Sequence, residues 1–322
     1  MIEVITTAPL LTVQDQGRFG MRHLGVPRCG MMDAPALLRA NLLLENDPLA
    51  AGLEISAGPV VLQSDRDQHI VLSGADMSAQ LLHTDMQTVV QNYLPPGFII
   101  RWPAGTRLLL DRPQIPGQRA ILAIAGGIDV APTLNSRSTD LNNQLGGYQG
   151  RALRAGDRLP IGEATTQQYS TSGIRQPAIT LSLRAIRGLD YEHFDPHSQN
   201  ALWQFPWRVQ ANSNRTGLRL SGPTLRYQGD TLRLSAGVLP GLLQVPGNGQ
   251  PILLGCDAQT TGGYPVIASV IEVDFHQLAY ATPGTLLYFR EVSVAEAQGL
   301  HSAGQHELQI LRQQIQYRKQ AR

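Results

Sequence analysis

The sequence predicts a mainly β protein with a few helices, built as two barrel-like domains. Three observations carry that expectation. The 322-residue chain holds 32 glycines and 21 prolines, residues that punctuate elements and are depleted inside them. Between them lie short β-branched and leucine-rich runs with turns at regular intervals, the pattern of barrels and sandwiches. A turn-then-strand signature also recurs, in Ala104-Gly-Thr-Arg-Leu-Leu-Leu110, Ala155-Gly-Asp-Arg-Leu-Pro-Ile161 and Pro283-Gly-Thr-Leu-Leu-Tyr-Phe289, which suits a duplication.

Read in order, Ile2 to Thr6 forms the opening strand. A polar, glycine-punctuated stretch from Leu11 through Gly30 shows no stable period and reads as a long functional loop. Asp33 caps a helix with proline in its first turn and Leu37, Leu38, Leu42 and Leu43 on its apolar side, expected to cover one end of a sheet. Strands follow at Val60–Leu62, His69–Leu72, Ser78–Leu82, Thr88–Val90, Phe98–Arg101, Arg107–Leu110 and Ala120–Ile124, and Gly156–Gly162 closes this half. The segment from Glu163 to Pro177 is rich in Thr, Gln and Ser without apolar period, as linkers are. The expected division is therefore a domain over 1–165, a linker over 166–177 and a second domain over 178–322.

In the second half, strands are expected at Ala178–Arg184, Trp207–Gln210, Leu218–Ser221, Thr231–Leu234, Leu242–Val245, Ile252–Leu254, Val266–Val273 and Thr285–Phe289. Short helices fit Ser198–Gln204 and Asp274–Ala279. The tail from Val294 to Arg322 has helical spacing, with Leu308, Leu311 and Ile315 on one face and Arg312, Arg318 and Lys319 near its end, where cations suit the helix dipole. That face docks either on the second domain or on a partner subunit.

A formal net charge of +1 argues against nucleic acid or a membrane surface as partner. The amino terminus lacks a secretory pattern and no apolar run reaches spanning length, so a cytoplasmic protein is expected. Cys29 and Cys256 stand far apart without a Cys-x-x-Cys spacing, and each reads as a small buried thiol. His193 and His197 bracket Asp195-Pro196, whose proline breaks the register that would align two ligands; no metal site is expected. All basic residues but Lys319 are arginine, which removes a Walker lysine, an internal Schiff-base lysine and an attachment lysine for biotin or lipoate. Arginine instead offers fixed forks for carboxylate or phosphate.

The most informative stretch is Asp257-Ala-Gln-Thr-Thr-Gly-Gly-Tyr-Pro265, too polar for a core strand. It reads as a binding loop, with Gly262 and Gly263 giving positive φ and close approach, and Gln259, Thr260, Thr261 and Tyr264 offering donors and acceptors. A strand, a turn and a second strand bring Gln244, Gln250, Asp257 and Gln259 together. Around Val13-Gln-Asp-Gln-Gly-Arg-Phe-Gly20, the residues Asp15, Arg18 and His23 meet a ligand or, alternatively, Asp15 and Arg18 pair to brace the loop. Arg137, Ser138 and Asp140 form either an oxyanion cradle or a capped turn. Arg215 and Arg219 lie four apart, with Arg219 and Ser221 on one strand face, suited to an anion or to a plain surface edge.

Val13-Gln-Asp-Gln-Gly-Arg18, Gly30-Met-Met-Asp33, Leu53-Glu-Ile55, Leu72-Ser-Gly-Ala75, Ala125-Gly-Gly-Ile-Asp129, Ser136-Arg-Ser-Thr-Asp140, Gly156-Asp-Arg-Leu-Pro160, Gln244-Val-Pro246 and Asp257–Pro265 resemble, in order and spacing, the allophanate-hydrolase-subunit-2, or biotin-dependent carboxyltransferase-like, family. Within it the chain is most similar to members serving bacterial ATP-dependent 5-oxoprolinases. The resemblance implies two cyclophilin-like β-barrel domains and association with 5-oxoprolinase subunits B and A. It also implies an enzyme active only with those subunits, opening 5-oxoproline to L-glutamate with ATP hydrolysis, ATP being shared with the partners and biotin not attached to this chain.

On that reading Asp257 is the general base, and Arg215, Arg219 and Arg137 bind anionic groups. Gln244, Gln259 and Thr261 then position the lactam. Ala236 and Thr216 depart from the family, which commonly has an acidic residue and a methionine there. The alternatives are a regulatory protein-binding module of Kip-antagonist type and the carboxyltransferase half of a urea-carboxylase-like system.

Overall fold

The computed structural model describes residues 1–115, 117–165, 169, 172–230 and 234–320, with side chains to 317. The chain divides into two compact units. The first comprises Met1–Phe19 and Cys29–Ala178; the second comprises Gly20–Arg28 and Ile179–Arg322. The fold is mainly β, with three α-helices and three 3-10 helices among the described residues. None of these helices is long and apolar enough to cross a membrane.

The first unit contains β1 (Ile2–Thr6), β2 (Thr12–Gln14), α1 (Ala34–Leu43), β3 (Gly52–Ile55), β4 (Val60–Ser64), β5 (Gln68–Gly74) and β6 (Gln80–Leu82). It continues with β7 (Val89–Gln91), β8 (Ile99–Trp102), β9 (Arg107–Leu110), β10 (Ala120–Ile124) and β11 (Arg158–Leu159). Hydrogen bonding sorts them into a six-stranded sheet, β11-β1-β4-β9-β6-β7, and a five-stranded sheet, β2-β3-β10-β5-β8. One core joins the sheets: Ile2 and Val4 of β1 and Leu108 and Leu110 of β9 cluster with Leu53 and Ile55 of β3 and Ile70 and Leu72 of β5.

Strand β10 is buried along its whole length because both faces are covered. Ala120, Leu122 and Ile124 enter that core, while Ile121 and Ala123 meet Ala36, Leu37 and Ala40 of α1. Strict alternation thus serves two apolar faces at once. Helix α1 is capped by Asp33, whose carboxylate accepts from Ala36 N at 2.9 Å, and it lies on the face of the sheet over β5 and β10 rather than at its end.

The second unit contains β12 (Ser182–Arg187), α2 (Pro196–Gln204), β13 (Trp207–Val209), β14 (Gly217–Ser221), β15 (Ala236–Gly237) and β16 (Leu242–Gln244). After these come β17 (Ile252–Leu254), β18 (Thr261–Gly262), β19 (Val266–Val270), β20 (Leu286–Glu291) and α3 (Val294–Gln320). Seven strands close into a barrel, β12-β19-β16-β17-β14-β13-β20, and β15 pairs with β18 as a separate ribbon. The barrel pairs are antiparallel except the closing one, where β12 runs parallel to β20. Leu183 and Ala185, Trp207 and Val209, and Leu287 and Phe289 alternate inward and are buried, each large side chain contributing ~1.5–3 kcal/mol of transfer free energy.

Several sequence expectations shift for local reasons. The stretch 11–30 is not all loop: β2 lies in it, and Arg22–Leu24 forms a 3-10 turn. Strand β6 starts at Gln80 because Ser78 has φ 47°, and β12 starts at Ser182 because Leu181 has φ 54°, conformations that end an extended run. The expected helix at 274–279 is a 3-10 helix, Glu272–Tyr280. Of the expected strand Thr231–Leu234, residues 231–233 lie outside the described residues, as do 166–168, 170 and 171 of the expected linker. The described part of that segment is engaged: Ile99 N donates to Ser172 O and Ile174 N to Gly97 O.

The recurring signature is a turn before β9, β11 and β20 in each case. Helix α3 presents Leu308, Leu311 and Ile315 half-buried on one side, and its His301 reaches Glu272 of the 3-10 helix at 3.2 Å. The side chains of Arg318 and Lys319 lie outside the described residues.

Candidate functional site

In the second unit the loop 257–265 is not free-standing. Thr261 and Gly262 form β18, paired with β15 in the register Ala236 to Gly262 and Gly237 to Thr261, and Val238 N donates to Thr260 O at 3.0 Å. Beneath this ribbon Val238, Leu254 and Ala258 are buried together. The polar residues stand outward: Gln259 and Thr261 are exposed, and Tyr264 is 51% exposed. Neither Gly262 nor Gly263 takes positive φ, contrary to expectation. Gly262 makes room instead for the Gln244 side chain, since a Cβ there would lie 2.8 Å from Gln244 Nε2 and displace it. Gln244 is itself buried and donates to Tyr264 O at 3.4 Å.

Asp257 is placed otherwise than a general base. Its Oδ2 accepts from Arg215 Nε at 2.8 Å and its Oδ1 from Arg215 Nη2 at 2.9 Å, with only 7% and 4% of the two side chains exposed. A carboxylate gripped at both oxygens by a buried fork braces the fold. Arg215 is therefore turned inward, whereas Arg219, four residues on, is exposed on β14; the two do not converge on one anion. Gln250 is also spent elsewhere, accepting from Gly222 N at 2.9 Å and donating to Gly222 O at 3.2 Å.

A residue the sequence reading missed completes this region. Arg22, in the 3-10 turn beside exposed His23, donates from Nη2 to Val238 O and to Gln259 O, the latter at 2.9 Å. It thereby ties the 20–28 segment to the ribbon. Burial first, and then the neighbouring Arg28 charge, hold the Arg22 guanidinium below its ordinary pKa. Arg28 is likewise held low by burial, opposed by Glu272 and Cys256. An arginine flanked by His and Met in a glycine-rich loop was the available signal.

In the first unit the expected Asp15, Arg18, Ser138 and Asp140 do gather, but the groups face each other. Asp15 Oδ1 accepts from Gly17 N at 2.8 Å, from Ser136 Oγ at 2.7 Å and from Ser138 Oγ, and Oδ2 accepts from Arg137 N. Arg18 is fully buried and donates to Thr133 O and Ser138 O. The expected Asp15–Arg18 brace is replaced by two separate anchors on the 133–138 segment. Asp140 accepts from Asn142 N and Asn143 N, both at 3.1 Å, a capped turn. Arg137 pairs with Asp129 at 2.9 Å and donates from Nε to Val130 O.

Both cysteines are buried thiols. Among the described residues no group of three or more His, Cys, Asp or Glu side chains could hold a metal ion.

Residues 24–291 match the model of the carboxyltransferase domain, subdomains A and B. The chain belongs to this carboxyltransferase-domain family. It is 44% identical to the C subunit of 5-oxoprolinase from Escherichia coli (strain K12) over 92% of this chain and 93% of that protein. It is 37% identical to the C subunit of 5-oxoprolinase from Haemophilus influenzae over the same shares. Among solved structures, the K. lactis urea amidolyase is similar with a TM-score of 0.85 and 26% identity, over 96% of this chain. The chain spans 20% of that much longer protein. For a member of the carboxyltransferase-domain family, the matched span takes in every strand of the barrel and both strands of the β15–β18 ribbon.

Proposed function

We propose that the chain is the C subunit of an ATP-dependent 5-oxoprolinase, acting with subunits A and B in the cytoplasm to open 5-oxoproline to L-glutamate. The observation that carries this reading is 44% identity extending over nearly the full length of both this chain and the E. coli protein. The exposed Gln259, Thr261 and Tyr264, set on a ribbon fixed by Gln244, Gly262 and Arg22, give the second unit donors and acceptors for a small polar ring. Asp257 and Arg215 support that surface from beneath. Positioning the lactam so that its carbonyl oxygen is exposed to activation is the contribution this arrangement can make.

Of the arginines expected to hold anions, Arg215 is committed to Asp257 and Arg137 to Asp129, while Arg219 stands exposed on β14. ATP is the co-substrate of the proposed complex, shared with the partner subunits. The first unit, two sheets over one core, is read as a barrel of the same cyclophilin-like kind, opened between its edges.

The test is reconstitution. The purified chain is expected to show no 5-oxoproline-dependent ATP hydrolysis alone and to restore it when added to subunits A and B. Turnover by A and B that is unchanged by this chain would sink the proposal. The likeness to urea amidolyase supports a second reading, carboxyl transfer from a biotinylated partner. Label from carboxybiotin appearing on an acceptor amide would favour it.

A further inference from the structure

The first unit carries a cavity on the side of the five-stranded sheet that α1 also covers. His69 of β5 and Arg101 of β8 stand directly opposite each other in the antiparallel register, so their side chains emerge on one face of the sheet. Together with Gln91, Pro95, Phe98 and Tyr169 they line a depression of about 290 Å³, at the small end of ligand pockets.

Its polar groups are only partly satisfied among the described residues. His69 is half-buried, with its ring 4.4 Å from that of Tyr169, yet neither ring nitrogen has a hydrogen-bond partner among the described residues. Arg101 commits one nitrogen, Nη2, to Asp67 at 2.6 Å, leaving the remainder of its fork open. That ion pair is exposed, 67% and 49%, and exposed pairs are held weakly. Asp67 is the one acidic group acting on His69 here, and it is already engaged by Ala104 N at 2.8 Å as well as by Arg101. The Gln91 amide donates to Tyr93 O, so its oxygen is the acceptor left at the rim.

The remaining lining includes the aromatic rings of Phe98 and Tyr169. Phe98 is 45% exposed there, and Tyr169 is fixed by its hydroxyl donating to Leu44 O at 3.1 Å. A guanidinium edge and an imidazole beside the Phe98 and Tyr169 rings match a ligand with a carboxylate on a planar body. We propose that this pocket binds a small carboxylate carried on a flat ring, the carboxylate meeting Arg101 and His69 and the ring lying on Phe98 and Tyr169.

The experiment titrates the purified chain with benzoate, following the His69 ring protons by NMR, assigned by their loss in His69→Gln. Benzamide and benzylamine serve as neutral and cationic probes of the same shape. Benzoate is expected to shift the His69 signals saturably and benzylamine to leave them unmoved. Arg101→Gln is expected to weaken benzoate by ~10-fold or more, the loss of one charged contact. Linear, non-saturating shifts would overturn the assignment. So would benzamide binding as tightly as benzoate, or undiminished affinity in a folded Arg101→Gln protein. Should that variant not fold, the three probes on the unaltered chain decide by themselves.

Discussion

Arg215 and Asp257 hold each other by two parallel hydrogen bonds of 2.8 and 2.9 Å inside the second unit. Asp257 N also donates to Arg215 O at 3.1 Å, so the pair fastens the loop 255–258 to the strand entry at 215–217 through both backbone and side chain. Removing one partner leaves a charge stranded in the interior, which costs ~3–5 kcal/mol in comparable cases. Asp257→Ala is expected to lose stability on that scale in urea unfolding. The double change Arg215→Met, Asp257→Leu should recover most of it, whereas a catalytic aspartate would show unchanged stability in the single variant.

Gly147 should be intolerant of any side chain. It has φ +53°, and a Cβ there would lie 1.9 Å from Thr139 Oγ1, the hydroxyl that donates to Val13 O at 2.9 Å. Gly147→Ala is expected to cost at least ~1–2 kcal/mol from the left-handed backbone alone. Hydrogen exchange at Thr139 N–H, which is bonded to Val13 O, should speed up with it.

Tyr169 supplies a pH dependence. Burial, and secondarily the Glu45 charge, push its phenol up to about 12. The folded chain therefore keeps a proton that the unfolded chain has lost, and stability is full below pH ~10 and falls as pH rises from ~10 toward 12. Difference absorbance at 295 nm between the parent and Tyr169→Phe should show this tyrosine ionising last. Ionisation near pH 10 would contradict it.

Gly262→Ala tests the ribbon. The added methyl must displace Gln244 Nε2 and so shift the surface bearing Gln259, Thr261 and Tyr264. In the complex reconstituted with subunits A and B, turnover is expected to fall ~10-fold or more, with melting temperature nearly unchanged. Equal loss of both would mean that the ribbon is a support only.

Much of the fold could be read directly. Strands β9, β10 and β17 coincide with their apolar runs, and Asp33 caps α1 as its position required. Strands β2 and β3 were missed because their polarity is absorbed internally. Gln14 donates to Thr12 Oγ1 and to Thr139 O, and Glu54 accepts from Met32 N while facing Arg119 at 3.4 Å. A buried polar residue satisfied by a distant backbone group gives no periodic signal.

The candidate residues suffered from the same blindness. Polar, glycine-rich stretches are legible in the sequence, but whether Asp257 or Asp15 looks outward depends on partners 42 and 121 to 123 residues away. The neutral side chains of Gln259, Thr261 and Tyr264, with no such partner among the described residues, are the ones left at the surface.

The second unit takes nine residues, Gly20–Arg28, from near the amino terminus and the rest from position 179 onward. No single cut in the polypeptide can therefore release both halves whole. A ribosome would deliver Arg22 216 and 237 residues before the Val238 and Gln259 carbonyls that receive it, and a carboxy-terminal fragment cloned from position 179 would emerge without that tether.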